Sequence, residues 1–136
     1  MRRILIDTGA IYAFVVRTDP HHTEAVEFIR QVAESGEALV LLDAVFAETM
    51  TLLKARLGAA IAIRVGTELK TNPFYTWQAL GPDGEADAWY AFQTHAEKEW
   101  TFTECSILAT AKRLQADEVF AFDRHFEHMP GLIRVP

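Results

Sequence analysis

The stretch WTFTECSILATAKRLQADEVFAFDRHF, residues 100–126, decides the fold. From Glu104, apolar Ile107, Leu108 and Ala111 follow at plus three, plus four and plus seven, one face of a helix. Thr103 can cap it, and the spacing predicts a helix near 104–115. Val119-Phe120-Ala121-Phe122 then runs apolar without alternation and stops at Asp123. Such a run, following a helix, reads as a strand covered on both faces.

A strand ending in an acid also opens the chain, with no internal repeat. Ile4-Leu5-Ile6 is a short buried strand that ends on Asp7, with a helical stretch near 8–16 behind it. Asp19-Pro20 opens a helix carrying Val26, Ile29 and Val32 at helical spacing, and Ser35-Gly36 stops it. Ala38-Leu39-Val40-Leu41-Leu42 is a second strand. Asp43 can cap a helix to about Leu57, and Gly58 separates it from another near 59–70. Phe74-Tyr75-Thr76-Trp77 reads as a third strand, residues 84–97 as a helix after the Gly81-Pro82-Asp83-Gly84 turn, and Ile133-Arg134-Val135 as a fifth strand. Unbroken apolar strands alternating with helices predict a three-layer α/β/α sandwich around a mainly parallel sheet of four or five strands. With 136 residues, the expectation is one domain over 1–136. Ligands of such sheets collect beyond the carboxyl ends of the strands, where Asp7 and Asp123 stand.

Composition sets outer bounds. Half the chain is hydrophobic and 24% is charged, as in ordinary globular proteins. One cysteine, Cys105, excludes an internal disulfide, and no base stands near it in sequence to make it a nucleophile. The apolar run after Arg2-Arg3 ends at Asp7, too soon for a secretory segment, and no stretch approaches the roughly 20 apolar residues that span a bilayer. A cytoplasmic protein without membrane contact is expected. The net charge of −6 disfavours a nucleic-acid partner on its face, but acids gathered at one site are ligands for cations that reverse the local sign.

Two further acids stand out. Glu48 has Val45 three positions before it and Leu52 four after, and Glu104 has the stripe already described, so both glutamates are expected in line with core-facing stripes. Burying an ionised carboxylate without a partner costs several kcal/mol, whereas a helix N-terminus returns only about 0.3–1 kcal/mol near the surface. A divalent ion would make up the difference. Each acid alone has an ordinary role as a strand-end turn, a cap, a first-turn acid or an arginine's partner. Asp7, Glu48, Glu104 and Asp123 as a set point to a metal centre.

Those residues carry a family resemblance. Ile4-Leu5-Ile6-Asp7-Thr8-Gly9-Ala10 resembles the opening strand of PIN domains, VapC-type toxins in particular, and Val45-Phe46-Ala47-Glu48-Thr49 resembles their second acidic position. Trp100 to Ala109 is similar to the third, where Glu104 replaces the commoner Asp. Val119 to Phe126 resembles the closing strand and fourth acid, with Ala121 where Thr or Ser is frequent. The resemblance implies a metal-dependent endoribonuclease, with the four acids as catalytic residues and ligands of one or two Mg2+ or Mn2+ ions. It also implies an RNA substrate, a small VapB-type antitoxin partner and a homodimer. Asp7 and Asp123 are expected as the nearest ligands, Glu48 and Glu104 as completing the site, and Thr8 as a hydrogen-bonding support behind it. Arg124, Arg17, Lys54 and Arg56 are candidate phosphate contacts. Trp77, Trp89 and Trp100 are candidates to stack bases, although Trp89 with Phe92 and Ala96 keeps a spacing that predicts core packing.

Other chemistries remain open on the residues. A metal-free nuclease would use His125 and His128 as acid and base, although no partners for them are evident in sequence. A phosphotransferase would use Asp7, but the second Asp of haloacid-dehalogenase phosphatases is Gly9 here. A PIN-like RNA-processing nuclease without a toxin role, or an acidic protein-binding module with little catalysis, would share the same acids.

Overall fold

The computed structural model describes residues 2–136. Five strands, β1 (Ile4–Ile6), β2 (Leu39–Leu42), β3 (Tyr75–Gln78), β4 (Glu118–Phe120) and β5 (Ile133–Val135), form one sheet in the order β3-β2-β1-β4-β5. Every neighbouring pair is parallel. Six helices accompany it: α1 (Thr8–Val15), α2 (His22–Glu34), α3 (Asp43–Leu57), α4 (Ala59–Thr71), α5 (Gly81–Thr94) and α6 (Phe102–Leu114). Every residue of β1 and β2 is buried, so both faces of the central strands are covered. This is the expected α/β/α sandwich, with five strands and, among the described residues, no antiparallel member.

Strand order fixes where chemistry can collect. The chain winds outward from β1 through β2 to β3, then returns past β1's other side to lay down β4 and β5. The winding reverses between β1 and β4, which opens a crevice at their carboxyl ends. The Asp7 amide donates to the carbonyl of Phe120 at 3.0 Å, so the ends of the two strands are tied at that point.

Several boundaries differ from the sequence reading. Helix α6 begins at Phe102, capped by Thr101 rather than Thr103. Leu42 holds the cap position of α3, and the Asp43 carboxylate instead accepts from the amides of Ala44 at 2.9 Å and Leu80 at 3.0 Å, fastening the approach to α5. Helix α5 starts three residues earlier than expected, with Pro82 in its first turn, and α2 starts at His22 because Asp19 folds back onto the His21 amide. A 3-10 turn over Arg124–His128 follows β4. Gly58, at φ +91°, makes the break between α3 and α4 that side chains with a Cβ rarely adopt. Among the described residues, no helix is long and apolar enough to cross a membrane.

Candidate metal centre

Asp7 leaves β1 and occupies the N-cap position of α1, yet its side chain makes no capping bond. Its backbone carbonyl takes the helix amides of Ala10 and Ile11, each at 3.2 Å, and the carboxylate is left for the crevice. It is only 7% exposed. Burial pushes its pKa from 3.8 up to about 7, opposed by the Thr8 amide and reinforced by the charges of Glu104, Glu48 and Asp123.

Glu104 is placed by the start of α6. The Thr101 hydroxyl accepts from the Glu104 amide at 3.1 Å while Glu104 Oε1 accepts from the Thr101 amide at 2.8 Å, a reciprocal capping box. Ile107, Leu108 and Ala111 are buried on the same helix, as its stripe requires, and Glu104 itself is 5% exposed. Asp123 follows β4, and its Oδ1 accepts the His125 amide at 2.9 Å at the head of the 3-10 turn. Its side chain is 45% exposed.

Glu48 departs from expectation. The buried line of α3 is Val45, Thr49 and Leu53, while Glu48 is exposed and Leu52 half-buried. Thr49 can enter the core because its hydroxyl donates to the Val45 carbonyl at 2.7 Å. Glu48 sits beside the core stripe rather than on it, at the rim of the same crevice.

Together these residues line a cavity of about 250 Å³ whose walls are Asp7, Thr8, Gly9, Glu48, Leu52, Thr101, Glu104, Asp123 and His125. His125 joins them although the sequence reading treated it as an unassembled histidine. Its Nδ1 lies 3.0 and 3.1 Å from the two Glu104 oxygens and 3.4 Å from Asp123 Oδ1. The hydrogen bond to Glu104 raises its pKa, against some loss of hydration. The only trace of this role in the sequence is its place two residues past Asp123, within a turn that aims it back. His128 is exposed and does not line the cavity.

The cations lie elsewhere. Arg124, Arg17, Lys54 and Arg56 are exposed and none lines the cavity; Arg56 instead covers the Tyr12 ring at 5.3 Å. Among the described residues, no arginine or lysine pairs with any of the four acids, whose one ionic partner is His125. Thr8 is buried, and its hydroxyl has no hydrogen-bond partner. Carboxylate oxygens, one imidazole nitrogen and an unpartnered hydroxyl around a small cavity suit a divalent cation. The tightest donor group is Glu104, Asp123 and His125, whose ligand atoms lie within 4.8 Å of one another. Asp7 and Glu48 line the same space without belonging to that group, a different grouping from the expected Asp7 and Asp123 pair.

The tryptophans also divide. Trp100 is buried, Trp77 lies under Lys70 on the edge strand β3, and Trp89 is 53% exposed, which corrects its expected place in the core. Trp89 stacks on Phe92, and Phe92 meets Phe102 edge-on, each pair 5.9 Å between ring centres.

Comparison with known proteins agrees with this architecture. The 23S rRNA-specific endonuclease VapC20 of Mycobacterium tuberculosis (strain H37Rv) is 28% identical over 128 residues, covering 90% of this chain and 91% of its own. The crystal structure of Mycobacterium tuberculosis VapC20, titled a sarcin-ricin loop cleaving toxin, superimposes with a TM-score of 0.85 at 23% identity over 97% of this chain and 98% of the other. VapBC2 from Rickettsia felis, solved with a DNA fragment from its promoter, gives 0.73 at 10% identity, covering 98% and 97%. FitAcB from Neisseria gonorrhoeae gives 0.70 at 18% identity, covering 98% and 96%. The PIN domain profile matches residues 4–132, and since that is nearly the whole length, this chain belongs to the PIN domain family.

Proposed function

We propose that this chain is a single-domain, Mg2+- or Mn2+-dependent endoribonuclease, the toxin of a VapBC-type pair, acting in the cytoplasm. One observation carries the reading: four acids from distant segments, with no cationic partner but His125 among the described residues, face one small cavity in which Asp7 holds its proton up to about 7. Asp7, Glu104 and Asp123, with Glu48 at the rim, are the residues assigned to metal binding and catalysis.

A bound divalent ion supplies positive charge at the scissile phosphate and acidifies a water for in-line attack. The chain's own groups do the rest. The Thr101 amide holds Glu104 in one orientation, and the His125 amide holds Asp123. Glu48, exposed at the rim, can orient the attacking water and take its proton. Leu52 walls one side against bulk solvent. Thr8 offers a hydroxyl to the bound set from behind Asp7.

VapC20 is named as a 23S rRNA-specific endonuclease, so 23S rRNA is the first substrate to assay. Purified protein is expected to cut RNA with Mn2+ or Mg2+, to stop in excess EDTA and to leave a 5′-phosphate. Asp7→Asn and Asp123→Asn should each lose at least about a hundredfold in rate, as removal of a transition-state charge stabiliser does. Cleavage that survives EDTA, or full activity in both variants, defeats the reading. A cyclic phosphate product would instead support the metal-free histidine route.

The partner expectations have their own support. The exposed aromatic strip of Trp89, Phe92 and Phe102 is suited to a homodimer contact. An apolar cavity of about 320 Å³, walled by Ile11, Phe14, Ile29, Val65 and Leu69, suits an apolar antitoxin segment. Native mass spectrometry of the chain alone, and with the product of a neighbouring gene, tests both. Monomer in each case removes them.

A further inference from the structure

We propose that His125 is itself a ligand of the ion, through Nδ1, and that it tilts the site toward Mn2+ over Mg2+. This rests on the metal-dependent reading above and adds a nitrogen donor to it.

Without an ion, Nδ1–H donates to Glu104; a bound ion would replace that proton, and the distances suit the exchange. Neighbouring ligands about 2.1 Å from an octahedral ion are about 3.0 Å apart. Nδ1 stands 3.0 Å from Glu104 Oε2 and 3.4 Å from Asp123 Oδ1, close to the edge lengths of such a polyhedron. The ring and Asp123 are presented as one unit, because the His125 amide clamps Asp123 Oδ1 at 2.9 Å. Rigid placement of this kind is what a ligand set needs.

A second observation points to a guest in the same cavity. Thr8 is 5% exposed and lines it, yet its hydroxyl has no partner among the described residues. Among the described residues, Glu104, although buried, meets no arginine or lysine, and its ionic partner is His125. Among the described residues, the Thr8 hydroxyl is therefore left for a guest to complete.

Selectivity follows from donor type. Mg2+ prefers oxygen ligands and keeps its waters, whereas affinity for nitrogen donors rises along the first-row divalent series that Mn2+ begins. Replacing one oxygen by Nδ1 therefore favours Mn2+, while the carboxylates serve both ions.

The test uses the whole chain loaded with Mn2+, without RNA. Electron spin-echo spectroscopy of the bound Mn2+ should show modulation from a directly coordinated ring nitrogen, and His125→Gln should abolish it. In competition titrations, His125→Gln should weaken Mn2+ by about tenfold or more, the usual cost of disturbing a ligand shell, and Mg2+ by much less. Mn2+ bound without nitrogen modulation overturns the ligand assignment but leaves the metal reading intact. Equal losses for both ions overturn the selectivity. Failure of the unaltered chain to take up Mn2+ sinks both this inference and the reading beneath it.

Discussion

Asp7→Asn should make the ion-free protein more stable, by an amount that depends on pH. In the fold, Asp7 holds its proton up to about 7, against 3.8 ordinarily, chiefly because it is buried and also because three other acids face it. Below 3.8 both folded and unfolded chains keep that proton, and a neutral carboxyl costs the fold little. As pH rises from 3.8 toward 7 the unfolded chain alone releases it, so stability falls across this window and the full penalty is present above it. At about 1.36 kcal/mol per pH unit, the span from 3.8 to about 7 corresponds to a penalty of about 4 kcal/mol. The neutral amide removes most of this and loses some back through imperfect hydrogen bonding, leaving a gain of roughly 2–4 kcal/mol. With about 3 °C per kcal/mol for a domain of this size, thermal denaturation at pH 8 in EDTA should place the variant roughly 6–12 °C above the parent. The gap should close toward pH 4. Saturating Mn2+ should also narrow it, since an ion that binds the native carboxylate stabilises the parent more. A variant no more stable than the parent at pH 8, or a gap independent of pH, would refute the claim that burial and neighbouring charge penalise this carboxylate when no ion neutralises it.

Glu48→Gln removes one of the charges acting on Asp7, so the Asp7 midpoint followed by carbon NMR should move below about 7; an unmoved midpoint contradicts the shared cavity. Thr101→Ala removes the cap of α6 and should cost about 1 kcal/mol in urea denaturation, with metal affinity weakened as Glu104 loosens; unchanged affinity would mean that the cap does not position the acid. Trp89→Ser combined with Phe92→Ser should convert a dimer to monomer in sedimentation while leaving the fold intact by circular dichroism; a persistent dimer moves the contact elsewhere.

Much of this is legible in the sequence alone. Strands covered on both faces leave unbroken apolar runs, and a run has an end, so the positions of Asp7 and Asp123 at the crevice followed from pattern alone. Glu104 was legible because its stripe is full and unambiguous. Glu48 was misread because α3 buries a threonine: Thr49 hides its hydroxyl on its own helix, which disguised the Val45–Thr49–Leu53 line and made its neighbour look central. Trp89 keeps true helical spacing, but spacing identifies a face without saying whether that face meets the core. His125 depends on a turn carrying it to Glu104, 21 residues back in the chain, and no local pattern encodes that meeting. The cap at Thr101 was within reach, since Thr101 and Glu104 have capping-box spacing and Thr103 does not.

The carboxylate of Glu104 answers to two masters. One oxygen is fixed on the Thr101 backbone, so the first turn of α6 cannot fray without dragging an acid of the cavity with it. Shortening this side chain to the Asp more usual in the family would withdraw its oxygens by a methylene from both engagements. Scaffold integrity and the arrangement of the cavity would thus be inherited together at this position, and a designer wishing to tune one would have to rebuild the other.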